Sequence, residues 1–87
     1  MDDSDVAQIF ATLPDRYANR LPNDVLAYVR GWDSGGEYGE ALSVLTAYLA
    51  HSGTAVTEDE RDELAELAEA TGEGREFVPK LTVVGAG

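Results

Sequence analysis

Apolar positions in this chain recur mostly at helical spacing. Val6, Ile9, Phe10 and Leu13 stand at i, i+3, i+4 and i+7 behind the acidic and capping residues Asp2 to Asp5, which predicts a short amphipathic helix near 5–13. Pro14 is expected to stop it, because a proline inside a helix removes a backbone donor and crowds the preceding turn. Asp15 to Leu21 read as a further turn with Tyr17 and Leu21 facing inward. A second helix is predicted near 23–32. Pro22 suits its start, Asp24 suits the positive end of its dipole, and Val25, Leu26, Val29 and Trp32 form its buried stripe.

Asp33-Ser34-Gly35-Gly36 reads as a turn, and Ser34 with Glu37 has the spacing of a capping box. The third helix, near 36–52, carries Tyr38, Ala41, Leu42, Leu45 and Leu49 in a narrow arc, with Tyr48 and Ser52 at its margin and Gly53 as a left-handed cap. Thr57 and Glu60 repeat the capping-box spacing ahead of a fourth helix near 58–71, which buries Leu64, Leu67, Ala68 and Thr71 and ends at Gly72. Phe77 to Val84 is β-prone, but a single strand has no partner in an otherwise helical chain. The stretch 75–87 is therefore expected to be an extended tail that packs across the helices, pairs with a second copy, or adds to a partner's sheet edge. The fold expected is all-α: one domain over 1–87, a small bundle of about four helices with an extended C-terminal tail.

The composition narrows the function. Apolar residues are 44% of the 87, enough for one core and too many for a disordered polymer. Cysteine is absent, which excludes disulfides, thiolate metal sites and a thiol nucleophile and fits a reducing cytoplasm. The acidic start lacks the positive charge of a secretory signal, and no apolar run approaches the roughly 20 residues of a membrane span. A net charge of −11 repels phosphate backbones and anionic membranes and attracts basic surfaces. Neither direct nucleic-acid nor membrane binding is expected.

Little chemistry is on offer. The lone histidine, His51, lies near the end of the third helix, where the dipole favours an imidazolium. Ser4, Ser34, Ser43 and Ser52 sit in no nucleophile elbow. The carboxylates Glu58-Asp59-Glu60 and Asp62-Glu63 fan outward at helical spacing without the hinged loop that encloses a cation. Gly31, Gly35, Gly36 and Gly39 have no preceding strand and no Lys or Arg in a P-loop arrangement, and Asp33, Glu37 and Glu40 around them would repel phosphate, so turns and close helix packing explain them better than a phosphate loop. No enzyme, metal or cofactor is expected.

What stands out is charge placement. From Glu58 to Glu76 there are nine of the seventeen acidic residues against Arg61 and Arg75. On a helical wheel Asp59, Asp62, Glu63, Glu66, Glu69 and Glu73 share an arc of about 120° opposite the leucines. Like charges at i,i+3 and i,i+4 destabilise a helix, so this ridge is expected to serve a basic protein partner, which would relieve the repulsion and be steered in by the field. Asp33, Glu37 and Glu40 around the glycine turn form a second candidate surface. The plain alternative is a solvated face.

Gly36-Glu37-Tyr38-Gly39-Glu40-Ala41-Leu42, continuing through Leu45 and Leu49 to Val56-Thr57-Glu58 and Leu64 to Leu67, resembles the MafI-type immunity proteins of bacterial polymorphic-toxin systems. Asp15-Arg16-Tyr17 and Arg20-Leu21-Pro22 resemble the approach to that family's second helix. The resemblance spans about Asp15 to Thr71. It implies a cytoplasmic antidote that binds the toxic C-terminal domain of a cognate toxin. Many such toxins are nucleases with basic clefts, which an acidic ridge could meet as a mimic of the nucleic-acid backbone. The alternative is a generic helical interaction or regulatory module, homodimeric through Trp32, Tyr38 or the tail.

Overall fold

The computed structural model describes residues 3–31 and 38–84. Within them the protein is a small all-α bundle: α1 (Asp3–Tyr17), α2 (Asn23–Arg30), α3 (Tyr38–Ser52) and α4 (Glu58–Thr71). Single 3₁₀ turns follow at Ala18–Arg20 and Val78–Lys80, and two short strands, β1 (Ala55–Val56) and β2 (Thr82–Val83), complete it. Trp32, Asp33, Ser34 and Glu37, with the capping box and turn expected there, lie outside the described residues.

Contrary to the expectation from its chemistry, Pro14 does not end α1, which continues to Tyr17 with the proline inside it. A proline there forfeits a helical hydrogen bond, at about 3 kcal/mol in an exposed helix. Continuing the helix keeps Val6, Phe10, Leu13 and Tyr17 on one stripe, and all four are buried in the core. Burying a large apolar side chain contributes about 1.5–3 kcal/mol, so packing of Leu13 and Tyr17 on either side of the proline outweighs the lost bond. At the end of α2 the helix stops at Arg30, where Gly31 donates its N–H back to the carbonyls of Ala27 and Tyr28.

α3 is the central element, in contact with α1, α2 and α4. Ala41, Leu42, Leu45 and Leu49 are buried as the wheel predicts, while Tyr38 and Tyr48 are half-buried at its edges. Thr46 is also fully buried. Its polarity hid it from a hydrophobic pattern, but its Oγ1 donates to the Leu42 carbonyl at 2.8 Å, so the hydroxyl is satisfied inside the helix itself.

α4 begins with the capping box expected of Thr57 and Glu60, both arms of which are formed. Gly53 and Gly72 close α3 and α4 with φ of 71° and 77°. Thr71, expected on the buried face, is only half-buried; its hydroxyl donates to the Leu67 carbonyl.

The C-terminal segment also departs from expectation, because it has a strand partner within the chain. β2 runs parallel to β1, with Ala55 opposite Thr82 and Val56 opposite Val83, and Val84 donates its N–H to the Val56 carbonyl at 2.8 Å. Parallel strands need a long crossover, and α4 supplies it. Leu81 is buried, while Val78 and Val83 pack on the core, so the segment lies across the helices. Two-residue strands are too short to announce themselves in sequence.

Gly74 directs this segment. It has φ +81°, and a Cβ there would stand 2.9 Å from the Thr46 Oγ1. Gly74→Ala is therefore expected to lower stability by about 2–3 kcal/mol, combining left-handed strain with a displaced Thr46. Urea unfolding checks this, and a loss under about 0.5 kcal/mol would mean the turn re-forms freely.

Candidate protein-binding face on the fourth helix

The acidic face of α4 has two margins and a crest between them, and they carry different chemistry. One margin faces α1. Because α1 runs through Pro14, Arg16 reaches the Glu63 carboxylate at 2.6 Å and Arg20, one turn on, reaches Glu60. Arg20 engages both Glu60 oxygens, at 2.9 and 2.7 Å, and also donates to the Ala55 and Arg16 carbonyls. Glu60 accepts in addition the Thr57 N–H at 2.9 Å. The Arg20–Glu60 pair thus joins the end of α1, the strand β1 and the start of α4.

Hydrogen bonding from Arg20 holds the Glu60 carboxyl down at about 2, against the opposing effect of burial and with help from the Thr57 N–H. The same bond raises the Arg20 guanidinium. Beneath the pair lies Tyr17, with the Arg20 guanidinium 4.3 Å above its ring centroid, a cation–π contact. Burial, then the Glu60 charge, pushes the Tyr17 phenol up to about 12. Its hydroxyl is buried with no hydrogen-bond partner among the described residues. Tyr17→Phe keeps the ring contact and removes that oxygen, so the variant is expected to be as stable as the parent or about 1 kcal/mol more stable. Thermal unfolding of the two proteins decides it; a marked loss would reveal a bridging water.

The crest of the face holds Asp59 and Glu66, two turns apart and both exposed, with no ion pair among the described residues. The remaining margin carries Asp62 and Glu69. Asp62 meets Arg61 at 3.1 Å and Glu69 meets Arg75 at 3.3 Å, with every side chain in these pairs more than a third exposed. Such pairs contribute about 0–1 kcal/mol. Arg75 and Glu69 edge a groove floored by Ala65, Ala68, Val78 and Pro79.

The ridge expected from the wheel is therefore shorter and less uniform. Glu63 is occupied by Arg16. Glu73 lies past the left-handed Gly72 and leaves the helical path; its stem covers Gly39 of α3, where a Cβ would meet Glu73 Cγ at 2.8 Å. Asp59, Asp62, Glu66 and Glu69 stay together on one side of α4. Of the second candidate surface, Glu40 is exposed in the first turn of α3, and Asp33 and Glu37 lie outside the described residues. Ending α1 at Leu13 hides Arg16 and Arg20 as compensating charges in the sequence. Their i,i+4 spacing, matching Glu63 and Glu60 on α4, was the signal available.

Among the described residues no helix is long and apolar enough to cross a membrane, and no group of three or more acidic or histidine side chains gathers as a metal site. His51 is exposed in the last turn of α3, edge-on to Phe77 with ring centroids 6.0 Å apart. Comparison with family models, curated proteins and solved structures finds no match.

Proposed function

We propose that this chain is an immunity protein that binds and neutralises the toxic domain of a cognate bacterial toxin in the cytoplasm of the producing cell, using the exposed carboxylates of α4 against a basic surface. The observation that carries this reading is the position of Glu66. It has Asp62, Glu63 and Glu69 as neighbours at i−4, i−3 and i+3, an arrangement that costs a few tenths of a kcal/mol per pair. Arg16, Arg61 and Arg75 pair with those neighbours Glu63, Asp62 and Glu69, and Arg20 and Arg30 pair with Glu60 and Asp15, so among the described residues no arginine pairs with Glu66 or Asp59. A basic partner supplies the missing counter-charge, and its association rate should fall steeply with salt.

Co-expression with the product of the adjacent gene tests the proposal. The pair is expected to co-purify, to dissociate as salt rises, and to rescue cells from that product's toxicity. A non-toxic neighbour, or a toxic one that the chain neither binds nor restrains, overturns it. Sedimentation showing a tight dimer of the isolated chain with no partner would favour a generic interaction module instead.

A further inference from the structure

The groove beside the acidic crest offers the basic partner a specific anchor, and its assignment rests on the proposed recognition of such a partner by α4. The space is about 120 Å³, lined by Ala65, Ala68 and Glu69 of α4 and by Arg75, Val78 and Pro79 of the following segment. Its floor is methyl and ring carbon; its rim is the exposed Glu69–Arg75 pair. Ala65 has Asp62 at i−3 and Glu69 at i+4, so the mouth opens between two carboxylates of the acidic face. We propose that this groove receives one lysine side chain of the basic protein partner, with its four-carbon stem on the Ala65, Ala68, Val78 and Pro79 floor and its ammonium on Glu69.

The apolar floor and the acidic surroundings together select that occupant. Long basic side chains bury their stems against apolar surface while the charged head stays wet. A wholly apolar side chain would fill the floor but leave the surrounding charge unanswered. The Glu69–Arg75 pair is loose enough to be exchanged, with both side chains more than half exposed. The arriving ammonium takes the place of Arg75 on Glu69.

Stem length separates this proposal from simple charge attraction. The full chain is titrated with hexalysine and with a hexamer of diaminobutyrate, which carries the same charge on a shorter stem, while the Ala65, Ala68 and Val78 methyl signals are followed by NMR. Hexalysine is expected to shift those methyls and to bind about threefold more tightly, since burial of apolar stem adds to charge. Ala65→Leu, which fills the groove from a half-buried position, should bring the two peptides to equal affinity without changing thermal stability. Arg75→Ala should tighten hexalysine about twofold by freeing Glu69. Equal affinities for the parent chain with silent methyls overturn the groove and leave the acidic crest standing. Absence of binding by either peptide overturns the crest reading and the groove together.

Discussion

Glu60→Ala lowers the stability of the fold by about 3 kcal/mol at neutral pH, read as a shift in the urea midpoint with an unchanged slope. Three losses combine: the reciprocal arm of the capping box, both bonds to Arg20, and the counter-charge of a guanidinium left over the Tyr17 ring. A domain of this size has about 4–13 kcal/mol in total, so the variant approaches the edge of folding. Glu60→Gln can still accept the Thr57 N–H, and is expected to lose about half as much.

Acid reports the same interaction. The Glu60 carboxyl stands near 2 in the folded protein against an ordinary value of 4.5, so between these values the unfolded chain binds the proton more readily. The contribution is complete above about pH 5, declines as pH falls through the window, and is gone below about pH 2. The parent should lose stability across that window more steeply than Glu60→Gln. Superimposable acid profiles would show that the carboxylate's charge contributes nothing and that only the cap matters.

Reversing the crest should separate binding from folding. Asp59→Lys with Glu66→Lys is expected to weaken a basic toxin domain at least about 100-fold, or about 2.7 kcal/mol, because two attractions become repulsions at the centre of the face. Asp59→Lys puts a cation at the positive end of α4 and costs about 0.3–1 kcal/mol, which the second reversal offsets. A lysine at 66 faces Asp62, Glu63 and Glu69 as attractive neighbours, so Glu66→Lys alone should raise stability by up to about 1 kcal/mol. Asp15→Lys with Asp24→Lys makes the same change in net charge away from α4, and it is expected to alter affinity only a few-fold through the long-range field. If the control pair weakens binding as much as the crest pair, net charge and not the α4 face governs recognition. A gain in stability with a loss of binding is the signature of residues kept for a partner.

Both results depend on how α1 meets α4, and that meeting marks the boundary of what periodicity can reveal. Of the expected α2 stripe Val29 is buried and Val25 and Leu26 are half-buried, whereas helical spacing and caps sufficed for the all-α class, for most of the buried stripe on α1, α3 and α4, for the Thr57–Glu60 box and for the Gly53 and Gly72 stops. These are local properties, set within one or two turns by burial and backbone sterics. The concentration of acid on the fourth helix was legible in the same way. Which acids remain available was not. The extension of α1 past Pro14 is decided by the core that buries Leu13 and Tyr17, and only that extension brings Arg16 and Arg20 to Glu63 and Glu60. Likewise, a two-residue strand at Ala55–Val56 exists only because Thr82–Val83 returns beside it, and the return builds the groove against Ala65 and Ala68. Sequence by itself determined the helices and the sign of their surfaces, because neighbours along the chain control both. Tertiary structure alone decided that Glu63 and Glu73 leave that ridge while Asp59, Asp62, Glu66 and Glu69 remain on it, because long-range packing brings Arg16 to Glu63 and lays the Glu73 stem over Gly39.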